Sequence, residues 1–399
     1  MKLLVVTSSY PRREGDIAGR FVLEWVEHLE RLGHTVRVLT WHDGQGGVGW
    51  QPDTHKVVRV RYAPTSYETL FYGAGTPENL RENPARGLLA APAGVAMAAA
   101  MARQVTTWRP DVLVGHWLVP SGVLVRAVGR LFGLPSLVVG HSGGVHLLDG
   151  LPRAAGRALA GFVTRGPTTI PSLELAEKLR RLTPKAEPGD LHVLPMGFEP
   201  PDEQIELGAE RVLGQKQDWL CIGRLVEIKG VDLAIEAFAA ADWPDATTLH
   251  IAGNGPKRAE LERLAARLHA NVDFHGVVTG EAKQQLFERC GFALFCSKEL
   301  PSGRHEGLPV SFLEASAQGL IPLCASIPGL SDYLVDRDLQ HLDSRGTTDW
   351  ARAIERLANL SADERADHAR RQRRAVAHLQ WPRLATHWDA LLRSIAHKF

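Results

Sequence analysis

Residues 306–314 decide the fold prediction, and they read Glu306-Gly307-Leu308-Pro309-Val310-Ser311-Phe312-Leu313-Glu314. An apolar run at 292–296 comes shortly before them and is typical of a buried strand. Pro309 stands where the first turn of a helix accepts a residue without an N–H group. Apolar residues then recur at helical spacing until Gly319 ends the pattern. The pattern predicts a strand, a polar loop with Glu306, and a helix with Glu314 in its second turn.

The start of this predicted helix has the properties of an anion site. The unsatisfied N–H groups of a first helical turn, with the helix dipole behind them, attract groups such as phosphate. A carboxylate on each side of a bound phosphate could accept hydrogen bonds from hydroxyls, an arrangement that suits a nucleotide sugar. Two glutamates eight positions apart also occur as a capping residue followed by a solvated helix face. The spacing alone leaves both interpretations open.

The wider context resembles one family. Glu306-Gly-Leu-Pro, then Glu314-Ala-Ser-Ala-Gln-Gly, is similar to the Glu-x7-Glu signature of the retaining nucleotide-sugar glycosyltransferases of family 4. The resemblance implies an α/β protein with the GT-B fold, in which two Rossmann-like domains face each other across a cleft. It places an acceptor domain at residues 1–197 and a nucleotide-sugar donor domain at residues 198–382. A C-terminal helix at about 383–399 is then expected to pack back on the first domain.

A second cluster follows the predicted strand 219–223, where the sequence continues Arg224-Leu-Val-Glu-Ile-Lys229-Gly. Cations at the C-terminal end of a parallel strand can neutralise a bound anion. A basic pair in a loop is usually solvated surface, and its position after a strand favours a site here. The resemblance implies that Arg224 and Lys229 hold the donor diphosphate, that Glu314 binds ribose hydroxyls and that Glu306 faces the transferred sugar. It also assigns donor contacts to Gly307, Leu308, Pro309 and Val310.

The first half of the chain alternates apolar strands with helical patterns, which predicts a parallel sheet with ligands at its C-terminal edge. Gly19 closes a long loop after the first strand and would let backbone N–H groups approach a phosphate, or it is simply a turn glycine. His141 follows the predicted strand 136–139. The resemblance implies that His141 faces the donor sugar; the alternative is a loop histidine bonded to nearby backbone. Gly144 stands where the family has an aspartate.

Residues 41–85 contain many glycines, prolines and aromatic residues with little periodicity. Long irregular segments inside a domain are often functional. The aromatic side chains could stack on a sugar acceptor, or they could pack the segment itself. The sequence leaves both open.

Composition limits the remaining possibilities. A chain of 399 residues predicts two domains, and a net charge of +1 argues against nucleic-acid binding. Residues 1–200 carry 22 Lys and Arg against 17 Asp and Glu, which is compatible with peripheral membrane contact through the N-terminal domain. The sequence shows no uninterrupted apolar run of membrane-spanning length. The four cysteines lack metal or disulfide spacing and are expected to be buried thiols. We expect a cytoplasmic location.

The combined pattern predicts a retaining glycosyltransferase that moves a hexose from a nucleotide-diphosphate sugar to a hydroxyl. The acceptor would be a sugar, a lipid-linked glycan or a small molecule, in glycan or exopolysaccharide assembly. The resemblance implies front-face attack without a protein nucleophile. No cofactor and no metal are expected, since protein cations and a helix terminus would carry the diphosphate charge. The alternatives are a nucleotide-sugar hydrolase or epimerase, and a protein that binds the sugar nucleotide without catalysis.

Overall fold

The computed structural model describes residues 1–44, 50–72, 75–183, 191–199, 217–243, 247–300, 306–326, 330–342 and 345–398. The chain divides into two compact units. The first consists of residues 1–197 together with 381–399, and the second of residues 198–380.

The first unit is built on a seven-stranded sheet in which the neighbouring strands run parallel. Its strand order is β3-β2-β1-β4-β5-β6-β7. The strands are β1 (Lys2–Thr7), β2 (Thr35–Trp41), β3 (Lys56–Val60), β4 (Val112–His116), β5 (Ser136–Val139), β6 (Thr168–Ile170) and β7 (Leu191–Val193). The central strands are apolar and buried on both faces, as a parallel sheet covered by helices requires.

Helices connect these strands. They are α1 (Arg20–Arg31), α2 (Thr76–Glu82), α3 (Ala90–Trp108), α4 (Val123–Phe132), α5 (Ser142–Gly150), α6 (Arg153–Val163) and α7 (Leu173–Leu182). Helix α1 shows how the sequence produces this layer: it buries Val22, Trp25, Val26 and Leu29, which recur at three- and four-residue spacing.

The second unit has a six-stranded sheet of parallel neighbours in the order β10-β9-β8-β11-β12-β13. The strands are β8 (Asp218–Ile222), β9 (Leu249–Ala252), β10 (Val272–Gly276), β11 (Cys290–Phe295), β12 (Ile321–Ala325) and β13 (His341–Leu342). The helices are α8 (Val231–Ala240), α9 (Arg258–Arg267), α10 (Gly280–Arg289), α11 (Val310–Ala317), α12 (Arg337–Gln340), α13 (Thr347–Ala358) and α14 (Ala362–Val376). Two doubly wound sheets confirm the predicted α/β class with Rossmann-like units.

The last helix, α15 (Trp381–His397), belongs to the first unit. The indole ring of Trp388 meets that of Trp25 edge-on, with centroids 5.7 Å apart. Asp389 Oδ1 lies 2.7 Å from His34 Nε2. The helix begins at Trp381 and not at 383, because Pro382 is tolerated in a first turn, where its missing N–H has no partner to lose.

Two features of the fold were not identified in the sequence pattern. The segment 41–85 contains the edge strand β3, which is only partly buried and therefore lacks a clear apolar pattern. The region 350–378 is two helices, α13 and α14. Ser361 separates them, since its side chain and that of Glu364 form a reciprocal capping box at the start of α14.

The aromatic residues of 41–85 mostly pack the core. Trp41, Tyr62 and Phe71 are buried, and the rings of Trp41 and Phe71 stack with centroids 4.3 Å apart. These three therefore follow the packing alternative. Tyr67, by contrast, is 64% exposed.

All four cysteines are buried free thiols, as predicted. The segment Pro84–Trp108 is long and apolar enough to cross a membrane by length and composition alone, which is weak evidence. Alanine supplies much of its apolar character. Met97 and Met101 of this segment lie in the core of the first unit.

Each sheet has one point where the chain reverses the direction in which it adds strands. In the first unit this point lies between β1 and β4, and in the second between β8 and β11. The loops at the carboxyl ends of such strand pairs diverge and leave a crevice where ligands bind in open α/β sheets. Strand β8 is followed by residues 223–230, which contain Arg224 and Lys229. Strand β11 precedes, in the sequence, the stretch that contains Glu306 and Glu314.

Candidate functional site

A pocket lies at the switch point of the second unit. Its lining comes from the ends of β8 and β11 and from the loop after β8: Cys221, Ile222, Gly223, Arg224, Leu225, Lys229, Val231, Leu294, Phe295 and Ser297. Arg224 and Lys229 are both among these residues. The structure therefore brings the predicted basic pair to one crevice.

Close backbone approaches hold the loops around this pocket. Gly230 has a φ of +60°, and a Cβ there would lie 2.0 Å from the carbonyl oxygen of Cys296. A Cβ on Gly253 would lie 1.8 Å from the carbonyl oxygen of Gly223. Only glycine fits at both positions. The loops after β8, β9 and β11 are thereby fixed against one another.

Lys229, which lines the pocket, forms an ion pair with Glu306. The Nζ atom of Lys229 contacts Oε1 of Glu306, and the Oγ atom of Ser297 lies 2.6 Å from Oε2. The side chains of Lys229 and Glu306 are 19% and 17% exposed, and Ser297 is buried. Both oxygens of the Glu306 carboxylate are therefore held, one by an ammonium and the other by a hydroxyl.

Arg224 stands two residues after β8 and is exposed. The backbone around it is fixed, because Leu225 N–H donates to Asn254 O at 3.0 Å and Gly223 N–H donates to Ala252 O at 2.9 Å. Arg224 is therefore an exposed residue on a loop whose backbone is hydrogen-bonded to the end of β9 and the residues that follow it.

Glu314 lies in α11 and binds a lysine that the sequence analysis did not identify. Lys283 of α10 places its Nζ atom 2.6 Å from Glu314 Oε1. Pro309 is the N-cap of α11, whereas the sequence predicted it in the first turn. Its backbone is extended, and its carbonyl accepts the N–H of Phe312 at 3.0 Å. Gly307 and Leu308 precede the cap, Val310 opens the helix, and Gly319 ends it with a φ of +84°.

The cysteine that lines the pocket is not a nucleophile. Burial raises the pKa of Cys221 to about 12, so its thiol stays protonated at neutral pH. A thiol attacks as its thiolate. The polar side chains of the described lining are those of Arg224, Lys229 and Ser297, and Glu306 contacts two of them.

His141 lies in the first unit, immediately before α5, and three rings hold it. Its ring centroid is 5.1 Å from that of Phe21, 4.8 Å from that of Trp117 and 5.5 Å from that of His116. Its Nε2 lies 3.3 Å from His116 Nδ1. Burial lowers the pKa of His141 to about 3, so the ring is neutral at pH 7 and can both donate and accept a hydrogen bond.

Gly19 caps α1 in the first unit with a φ of +69°. A Cβ there would come within 2.3 Å of the carbonyl oxygen of Ser9, so the loop's own packing already requires glycine. Phe21, two residues later, contacts His141. The structure thus brings the start of α1 near His141, while a phosphate contact of Gly19 stays a prediction.

Sequence reasoning missed four side chains that orient the predicted ones. Lys283 and Ser297 hold the two glutamates, and Phe21 and Trp117 pack on His141. Ser297 carried a signal, since it follows a predicted strand end next to the 306–314 stretch. The other three become visible only once the helices are folded against the sheets.

Comparisons with known families agree with this architecture. The family described as "Glycosyl transferases group 1" matches residues 204–375, and the "Glycosyl transferase 4-like domain" matches residues 18–197. The two matches together cover most of the chain and follow the division into two units.

Similar proteins include characterised and solved examples. A GDP-mannose-dependent alpha-(1-6)-phosphatidylinositol monomannoside mannosyltransferase of Mycobacterium tuberculosis is 31% identical over 216 residues, which is 52% of this chain and 54% of that protein. The match thus spans about half the length of that relative. The putative teichuronic acid biosynthesis glycosyltransferase TuaC of Bacillus subtilis is 25% identical over 83% of this chain and 82% of its own. Anabaena HepE, solved in complex with UDP-glucose, has a TM-score of 0.69 at 15% identity, covering 99% of this chain and 100% of that chain.

Proposed function

Because the chain belongs to the group 1 glycosyltransferases, we propose that it moves a hexose from a nucleotide-diphosphate sugar to a hydroxyl acceptor with retention of anomeric configuration. The observation that carries this proposal is the pocket at the ends of β8 and β11, where Arg224 and Lys229 line one crevice and Lys229 pairs with the Glu306 carboxylate. The chain is a glycosyltransferase, and the family matches do not favour a hydrolase, an epimerase or a non-catalytic binding protein. The acceptor we propose is a sugar or a lipid-linked glycan.

The basic pair is proposed to bind the donor diphosphate. As the glycosidic bond breaks, negative charge moves onto the leaving phosphate, and fixed cations stabilise it at that moment. An ammonium has three N–H donors, so Lys229 can keep Glu306 while it contacts a phosphate oxygen. Arg224, held by a rigid loop, would supply a planar second contact.

The two glutamates are proposed to bind hydroxyls at opposite ends of the donor. Glu314, one turn into α11, would accept hydrogen bonds from the ribose. Glu306 would face the transferred sugar, and the N-terminal turn of α11 between them favours the diphosphate. His141, neutral at pH 7, would give or accept a hydrogen bond with a sugar hydroxyl.

We propose that turnover needs no divalent metal at this site. Two protein cations and a helix N-terminus can supply the positive charge that Mg²⁺ supplies elsewhere. Turnover measured well below the unfolding temperature should therefore be the same with EDTA and with added Mg²⁺ or Mn²⁺. Activity that EDTA abolishes and Mg²⁺ restores would contradict this.

The donor should be tested first with GDP-mannose, the donor named for the mycobacterial mannosyltransferases, and in parallel with UDP-glucose. Calorimetric titration with GDP, UDP and ADP would identify the base. Product analysis by NMR of the anomeric proton would then report whether configuration is retained. Inversion of configuration would contradict the retaining assignment without affecting the proposed binding site.

Arg224→Ala and Lys229→Ala test the basic pair, with Arg263→Ala as the control. Arg263 is an exposed arginine of α9 in the same unit. A hydrogen bond to a charged group is worth about 1.5–3 kcal/mol, so each site variant should lose about tenfold or more in kcat/KM for the donor. The control should keep wild-type kinetics. If folded site variants also keep them, the pair is surface charge and the proposed site is wrong.

Glu306→Gln distinguishes an effect on nucleotide affinity from an effect on turnover. It removes a negative charge beside Lys229, so the affinity for a free nucleoside diphosphate should stay the same or rise. Turnover should fall, because the contact with the transferred sugar is weakened. Loss of nucleotide affinity in Glu306→Gln equal to that in Glu314→Gln would show that the two glutamates have been assigned wrongly.

A further inference from the structure

Two histidines and an aspartate meet on one face of the second sheet, on the neighbouring strands β9 and β10. His250 Nδ1 lies 3.0 Å from His275 Nε2 and 3.8 Å from Asp273 Oδ2. Asp273 is directly opposite His250 in the strand register, and His275 follows two positions later on the same face. The register shifts between Phe274 and Gly276, and such an irregularity can redirect the side chain between them, here His275.

A fourth residue sets the tautomer of His250. The Oδ2 atom of Asp218 lies 3.2 Å from His250 Nε2 and 3.1 Å from Arg289 Nε, and its Oδ1 accepts the N–H of Thr248 at 3.0 Å. A carboxylate that already accepts from the Arg289 guanidinium and the Thr248 N–H is an acceptor toward His250 as well. The proton of His250 therefore lies on Nε2. The lone pair of Nδ1 points to His275 and Asp273.

We propose that His250, Asp273 and His275 bind a divalent transition-metal ion of the zinc class. A carboxylate that accepts the second N–H of a ligating imidazole is a regular feature of such sites, and Asp218 has that position toward His250. In a tetrahedral zinc site, bonds of about 2.0–2.2 Å place the ligand atoms about 3.3 Å apart, and the observed 3.0 and 3.8 Å need only small side-chain adjustments. Two imidazoles and one carboxylate select zinc-like ions over Mg²⁺ or Ca²⁺.

The burial of the three ligands differs in a way that fits an accessible ion. His250 is fully buried and rigid, whereas Asp273 and His275 are exposed and can adjust. The fourth position faces solvent and would hold water. Asp273 is the one anionic ligand of the three. The nearby Arg289 is paired with Asp218.

An ion here would join two strands. Strand β10 is at the edge of the sheet, and β9 is its hydrogen-bonded neighbour. The proposed ligands come from both, so the ion would fasten the edge strand to the sheet. Asp218 is the first residue of β8, whereas the nucleotide pocket follows its last, so this site is separate from the proposed donor site and independent of the proposed function.

The test uses untagged, chelator-treated full-length protein with Zn²⁺ alone as the probe. Calorimetry should show one Zn²⁺ per chain, and Co²⁺ should give the visible absorption of a tetrahedral complex. At a hundredfold excess of Zn²⁺ over Kd, the unfolding temperature of this unit should rise by about 5–10 °C, because the ion binds the folded state. Mg²⁺ should cause no shift.

His275→Ala and Asp273→Asn remove exposed ligands, so both variants should fold with a wild-type unfolding temperature in the absence of metal. Each should lose the Zn²⁺-induced shift and the Co²⁺ spectrum. His387→Ala, an exposed histidine on α15, is the matched control and should keep both. If His275→Ala keeps the full Zn²⁺ shift, or if the wild-type chain binds no Zn²⁺, the cluster is a hydrogen-bonded histidine pair and the proposal is overturned.

Discussion

The ion pair between Lys229 and Glu306 should stabilise the second unit measurably, even without a ligand. We consider Lys229→Met, which removes the charge and keeps most of the apolar stem, together with Glu306→Gln and the double variant. In the wild-type chain, Lys229 and Ser297 together hold both oxygens of Glu306. Lys229→Met removes the ammonium from Oε1 and keeps the hydroxyl of Ser297 at Oε2.

The magnitude follows from the partial burial of the pair. Exposed pairs contribute about 0.2–1 kcal/mol, whereas removing one partner of a buried pair costs about 3–5 kcal/mol. With side chains 19% and 17% exposed, Lys229 and Glu306 fall between these limits. We expect Lys229→Met to lower the free energy of opening by about 2 kcal/mol. The coupling energy of the double-mutant cycle should be about 1–2 kcal/mol.

The assay must report on the second unit alone, since a chain with two units need not unfold in one step. Native-state hydrogen exchange, read by mass spectrometry on peptides that contain β8 and β11, gives the local free energy of opening. Peptides from β1 and β4 in the first unit serve as the internal control. The reasoning is refuted if the losses of the two single variants sum to that of the double variant within about 0.5 kcal/mol, or if Lys229→Met is more stable than the wild type.

Three other perturbations have defined outcomes. Lys283→Ala should weaken binding of a nucleoside diphosphate a few-fold, because Lys283 holds the Glu314 carboxylate that is proposed to bind the ribose. Binding of the 2′,3′-dideoxy analogue should not change, and calorimetry with both ligands measures the difference. Gly230→Ala should cost at least about 2–3 kcal/mol in the same exchange assay, because a Cβ would collide with backbone, whereas Gly280→Ala, with a φ of +53° and open space, should cost only about 1–2 kcal/mol. Folded His141 stays neutral down to a pKa of about 3, while the unfolded chain takes up the proton near pH 6.5, so stability of the first unit should fall as the pH drops below about 6.5. Between pH 6.5 and 5 this loss is about 1.6 kcal/mol, and His141→Gln should flatten that slope in pH-dependent exchange; an unchanged slope would contradict the assignment.

The sequence predicted the elements that carry a strong apolar pattern. Strand β5 has the predicted bounds, because its flanks are clear turn signals. Strand β3 was missed because an edge strand with one half-buried face shows little alternation. The division at Ser361 could have been found, since Ser361 and Glu364 have the spacing of a capping box.

Only those parts of the candidate site whose residues are close in sequence were predictable. Arg224 and Lys229 belong to one loop, and Glu306 and Glu314 to one loop and helix, so a motif describes each pair. The pairing between motifs is a property of the folded sheet. Lys229 meets Glu306 because β8 and β11 are neighbours at the switch point, an adjacency that no local pattern of either strand contains.

The ion pairs also explain how two carboxylates can stand beside a proposed diphosphate site. Glu306 and Glu314 each meet a lysine that is distant in the sequence, by 77 and 31 positions. Without these partners, two negative charges would repel the donor by an amount that grows as the pocket excludes water. With them, each carboxylate charge is balanced by an ammonium and the side chain is oriented before a donor binds. Each carboxylate keeps lone pairs for a hydroxyl. In the proposed donor site the arrangement would separate two tasks: the lysines and Arg224 would balance charge, and the glutamates would recognise hydroxyls.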